Sequence, residues 1–149
     1  MLINIRKGFT LAEVAVVIAI FVIMVVALTP FVGMIKNRAE AIACANKLKL
    51  LSLGLHTFAA DYNGIFPRDL KVLYPDYVND EKAFHCPVSK SAGTPERPDY
   101  EYMGGLTENS PPLEVIAYDA HGNHKNRGRN VLRVNGTVEW VREGIGKPK

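Results

Sequence analysis

Residues 14–35 make 22 consecutive positions without a charge, and only Thr29, Pro30 and Gly33 among them are poor helix builders. A helix over that stretch reaches roughly 33 Å at about 1.5 Å per residue, enough to cross a ~30 Å hydrocarbon layer. The stretch therefore reads as a membrane span, and the remaining chain has to be organised around it. Arg6 and Lys7 precede the span, which predicts that the N-terminus stays cytoplasmic and everything after Lys36 is exported. Lys36 and Arg38 oppose that orientation mildly.

A secretory signal peptide is the competing reading, with Arg6 and Lys7 as its charged region. Three features count against it. The apolar run is longer than the ~7–15 residues of such a region, Glu13 stands at its start, and no small-x-small cleavage site follows before Lys36.

Helical spacing continues beyond the span. Ala41, Ala45, Leu48, Ser52, Leu55, Ala59 and Tyr62 follow steps of four and three, one apolar stripe interrupted by Ser52. Lys36, Glu40, Lys47, Lys49 and His56 lie on the other side, and Leu50, Leu51 and Leu53 are expected to widen the buried face. One helix from about Phe9 to Tyr62 is predicted. It stops at Asp61-Tyr62-Asn63-Gly64, because Asn and Gly accept left-handed angles, and Pro67 then bars continuation. Pro30 should bend the membrane part.

From Ile65 to Asp119 prolines at 67, 75, 87, 95, 98, 111 and 112 punctuate short pieces such as Asp69 to Leu73. Ser89 to Asp99 reads as an exposed loop. Strands are predicted over Leu113 to Tyr118, Asn130 to Val134 and Thr137 to Val141, the last two joined by the hairpin signal Asn135-Gly136. The fold class is α+β: a long N-terminal helix, transmembrane then amphipathic, packed on a small antiparallel sheet. A composition of 48% apolar and 22% charged residues supports one such core.

The junction before the span is Lys7-Gly8-Phe9-Thr10-Leu11-Ala12-Glu13-Val14, which resembles the cleavage motif of type IV prepilins and type II secretion pseudopilins. That resemblance implies a pilin-like fold in three parts: a cleavable leader 1–8, a transmembrane and filament-core segment 9–35, and an exported α+β head 36–149. It further implies a prepilin peptidase cutting between Gly8 and Phe9 and methylating the new Phe9 amine, which leaves a 141-residue mature chain. Glu13 would be costly in lipid unless it meets a cation. By the resemblance that cation is the Phe9 amine of a neighbouring subunit, which sets filament register; snorkelling to the headgroups is the alternative. Pro30 sits where many pilins place a bending proline.

Cys44, Asn46-Lys47-Leu48-Lys49, Asp61-Tyr62-Asn63-Gly64, Phe66-Pro67, Cys86-Pro87 and Asn130-Val131-Leu132 are similar to a bacterial pseudopilin-like family whose members often end in a His-then-Asp-Gly pattern. Here that pattern is degraded, with Asn135-Gly136 in place of Asp-Gly and His121 or His124 upstream. Cys44 and Cys86 both fall in the exported part, where an oxidising compartment would let them pair. A disulfide between them, closing a 41-residue segment, is expected to add about 3–4 kcal/mol; free buried thiols are the alternative.

Asp119, His85, His121 and His124 suggest a metal, and similar pseudopilins sometimes hold calcium in a C-terminal loop. Calcium prefers oxygen ligands, and only Asp119 and Asn123 offer them here, while the His-x-x-His spacing lacks a third zinc ligand. The expectation is a solvated polar loop and no metal or other cofactor. Charge is uneven: residues 39–119 carry 7 basic and 12 acidic side chains, and residues 120–149 carry 7 basic and 2 acidic. Lys125, Arg127, Arg129 and Arg133 form a basic run that would suit DNA, but no aromatic platform accompanies it before Trp140. A solvated basic face, or one pairing with the acidic region of a neighbouring subunit, is the stronger expectation.

No nucleophile, base and orienting residue assemble into an enzyme site. The functional expectation is a structural filament subunit, pilin or pseudopilin, whose partners are the prepilin peptidase, other subunits and the inner membrane, with the head in the periplasm or the filament outside. The alternatives are a minor pilin or periplasmic binding module with a basic face for DNA or another ligand, and an uncut membrane anchor.

Overall fold

The structure, a computed structural model, describes residues 10–120, 122–124 and 127–142, except the side chains of residues 30 and 31. By its internal contacts the chain divides into two compact units, Met1–Lys36 and Asn37–Lys149. One helix, α1, spans Leu11–Asp61.

In the first unit every described side chain is exposed, Val, Ile, Leu, Phe and Met included. No described residue of this unit covers them, and α1 is long and apolar enough here to cross a membrane. The helix continues through Pro30 without a break, and the Thr29 hydroxyl donates to the Val26 carbonyl at 2.7 Å.

The second unit is built on one face of α1. Cys44, Leu48, Leu51, Leu55, Phe58 and Ala59 are buried at steps of three and four, the period that puts residues on one helical side. Ser52 is buried with them. Two expectations fail here. Leu53 is 65% exposed and Leu50 37%, because the turn of α1 carries them to the side away from the sheet; only Leu51 widens the buried face. Tyr62 is 52% exposed and stacks on Phe58 with ring centroids 4.1 Å apart. Gly54 faces the Tyr77–Val78 turn so closely that an added Cβ would stand 2.4 Å from a Val78 methyl.

The helix ends where the sequence says it should. Asn63 has φ 56° and Gly64 φ 80°, and the Gly64 amide returns to the Ala59 carbonyl at 2.7 Å, closing the last turn. Phe66, Leu70 and Leu73 then enter the core, the last two on a 3₁₀ turn Leu70–Leu73 capped by Asp69. A second such turn, Glu81–Phe84, is capped by Asp80.

Four antiparallel strands follow in simple spatial order: β1 (Tyr100–Tyr102), β2 (Val115–Asp119), β3 (Arg129–Arg133) and β4 (Val138–Val141). β2 starts two residues later than predicted, since Leu113 is 64% exposed. A bulge between Val115 and Ala117 breaks its alternation, leaving Val115, Ile116 and Ala117 buried in succession. The β3–β4 hairpin forms around Asn135-Gly136, but Arg133 bonds Thr137 across it (N to O 2.9 Å), so the loop is residues 134–136 with Gly136 at φ 80°. Val134, expected in the strand, lies in that loop because its amide bonds the Glu114 carbonyl (2.9 Å). The Ser89–Asp99 loop is not wholly exposed either: Gly93, Pro95 and Asp99 are buried.

Candidate functional site

Thr10 and Glu13 organise the helix start. The Thr10 amide and hydroxyl each donate to Glu13 Oε2 at 2.8 Å, and the Glu13 amide returns a bond to Thr10 Oγ1 at 3.3 Å. This is a capping box, which satisfies helix-end donors that would otherwise have no partner. Thr10 is a residue the sequence reading missed, although Thr-x-x-Glu ahead of an apolar run is the signal that finds it. Gly8 and Phe9, the expected processing site, lie outside the described residues.

Residues 3–29 match a family model described as the prokaryotic N-terminal methylation motif. The chain carries that motif, which is consistent with a type IV prepilin-like or pseudopilin-like protein. No curated protein and no solved structure matches it. The likeness thus rests on the motif, which opens the apolar helix ahead of the α+β head.

The head concentrates much of its buried polar chemistry around the two cysteines. Cys44 of α1 and Cys86, both fully buried, form a disulfide with Cα atoms 5.3 Å apart, which excludes free thiols in this state. Asp119, at the end of β2, is fully buried beside them, and His124 Nε2 lies 2.9 Å from Asp119 Oδ2 and 3.9 Å from Cys86 Sγ. The Asn130 backbone and side-chain amides both donate to Asp119 Oδ2 at 2.8 Å, and the same Asn130 side chain donates to the Ala41 carbonyl of α1 at 3.0 Å. Trp140 closes the side, its ring edge-on to His124 at 5.1 Å. Among the described residues Asp119 Oδ1 has no hydrogen-bond partner.

A second buried carboxylate, Asp99, holds the Cys86 segment. It accepts from the Cys86 amide (3.0 Å), His85 Nδ1 (2.8 Å) and the Ser91 hydroxyl. Of the metal candidates, then, the structure joins Asp119 to His124 and adds both cysteines, while His85 belongs to Asp99 and His121 lies outside the described residues. Asn123 is turned to the Asp99 carbonyl (3.0 Å). His124 itself is buried, so the loop expected to be solvated is packed at this point.

The described members of the basic run have different surroundings. Arg133 is engaged by Glu139 and the Leu113 carbonyl, Arg129 lies over the Tyr118 ring at 5.3 Å, and Arg127 is exposed. Lys125 is outside the described residues. Tyrosines elsewhere in the head are held in the phenol form. Desolvation, then the Asp61 carboxylate beside it, pushes Tyr77 up to about 12. Burial first, and nearby carboxylates second, raise Tyr100 and Tyr102 as well.

Proposed function

We propose that the chain is a structural subunit of a type IV pilus-related or type II secretion-related filament. The observation that carries this is the methylation motif over residues 3–29 placed directly on a helix whose described apolar side chains are exposed within their own unit. In this reading a prepilin peptidase removes residues 1–8 and methylates the amine of Phe9. The subunit waits in the inner membrane with its head on the periplasmic side, and residues 9–35 pass from lipid into the filament core. Glu13 then exchanges its Thr10 donors for the Phe9 amine of a neighbouring subunit, an ion pair in apolar surroundings that fixes axial register.

The binding-module reading loses support from Arg129 and Arg133, which are already engaged by Tyr118 and Glu139. Intact-mass measurement on membrane-extracted protein from the native host tests the filament reading. Loss of residues 1–8 with gain of one methyl group is expected; an unmethylated chain starting at Met1 overturns it in favour of a plain anchor. Glu13→Val is expected to abolish filament recovery while leaving the oxidised head intact, and normal filaments from that variant would remove the register role.

A further inference from the structure

The ligand atoms of Cys44, Cys86, Asp119 and His124 all lie within 4.8 Å of one another. Two sulfurs, an imidazole nitrogen and a carboxylate oxygen in one buried place are a complete donor set for tetrahedral zinc. Bond lengths of about 2.3 Å to sulfur and 2.0–2.1 Å to nitrogen or oxygen put tetrahedral ligand atoms roughly 3.3–3.8 Å apart. The present spread needs only side-chain adjustment to reach that, once the sulfurs are no longer bonded to each other.

We propose that this cluster is a redox-alternative metal site: a disulfide when oxidised, and a Cys44–Cys86–His124–Asp119 zinc site when reduced. This is independent of whether the chain assembles into filaments. Three observations beyond the donor set point to a cation. Asp119 is fully buried yet leaves Oδ1 without a partner among the described residues, an arrangement that costs free energy unless something positive meets it. Asn130 fixes the carboxylate through two donors, the outer support that metal-binding carboxylates use. His124 is buried to 9% exposure, with the Trp140 ring edge-on to it. Calcium would refuse the sulfurs, whereas thiolate and imidazole together select zinc.

The chemistry balances with an external thiol or phosphine reductant. A dithiol attacks the Cys44–Cys86 bond through a mixed disulfide, closes to its own disulfide, and delivers two electrons and two protons, leaving two thiols. Zinc displaces both thiol protons to solvent and bonds the two thiolates and the Asp119 carboxylate. It binds His124 through Nε2, so the ring keeps its proton on Nδ1. The staple between α1 and the Cys86 segment is thereby exchanged rather than lost.

The full-length chain in detergent, reduced anaerobically with a phosphine (which becomes the phosphine oxide by taking the oxygen of one water), is titrated with Co2+ as the spectroscopic probe. One Co2+ per chain is expected, with a thiolate-to-cobalt charge-transfer band and the intense visible bands of tetrahedral cobalt, all erased by one equivalent of Zn2+. The oxidised chain should show none of these bands. His124→Ala should weaken cobalt binding by more than the roughly 10- to 100-fold that loss of an outer partner costs. Should His124→Ala fail to fold, His124→Cys decides: a restored tetrahedral spectrum with stronger thiolate absorption supports the site, and an octahedral spectrum overturns it. No cobalt uptake by the reduced chain, equal bands in the oxidised chain, or undiminished affinity in a folded His124→Ala also overturns it.

Discussion

The two parts of α1 solve opposite problems. Through residues 14–35 every side of the helix is apolar and every described side chain is exposed, so position around the axis carries no information and the environment must supply the solvent. Beyond Lys36 the same helix becomes one-sided: Leu48, Leu51 and Leu55 are buried at 0–1% exposure while Leu53, two residues from Leu51, is 65% exposed. Burial, not residue type, distinguishes the two leucine environments. The lesson is that apolar content identifies the first part, and only periodicity together with a packing partner identifies the second.

Truncation at matched positions should break the equivalence most strongly. Leu55→Ala is expected to destabilise the head by about 2–5 kcal/mol, read as a lowered denaturation midpoint in detergent, whereas Ile20→Ala should leave that midpoint unmoved. Equal losses at both positions would mean that the first part contributes to head stability.

Gly54 sharpens the contrast at a position where helix propensity and packing disagree. Propensity alone favours Ala over Gly by about 1 kcal/mol inside a helix. With Val78 at 2.4 Å from the added Cβ, Gly54→Ala is expected to lose about 1–3 kcal/mol instead. In the first part Gly33 has nothing within 4 Å of an added Cβ, so Gly33→Ala should be neutral or slightly stabilising in the same assay.

The smallest effect concerns alkaline pH, to which only the head should respond. Tyr77 is raised from its ordinary value near 10 to about 12, so its neutral form is favoured in the folded state. The stability it contributes is fully present below about pH 10 and is lost as pH rises toward 12. Tyr77→Phe should flatten the fall of the denaturation midpoint across that window, while helicity of the membrane part stays constant.

Sequence made the membrane span, the N-terminal motif and the helix stop at Asn63-Gly64 legible because each is local: a run of residue types, a short string, a pair that accepts left-handed angles. The Asn135-Gly136 hairpin was legible in place but not in register, since the Val134 amide is claimed by Glu114 from outside the hairpin. β1 escaped because three residues, Tyr100–Tyr102, are too few for a period and acquire strand geometry only by pairing with β2. The disulfide followed from compartment and resemblance, but its company did not. Asp119 and His124 reach Cys86 through strand pairing, the turn after β2 and the Asn130 bonds to Asp119 and Ala41, none of which spacing reports.

The Thr10–Glu13 capping box has a consequence for the life of a lone subunit. A carboxylate already hydrogen-bonded by its own chain has part of its cost at the edge of an apolar helix offset before any neighbour arrives. In the filament reading, unassembled chains can therefore be banked in the bilayer as a reserve. Joining a filament is then a swap of two neutral donors for a charged one, so the exchange favours assembly while leaving a withdrawn subunit its own donors to return to.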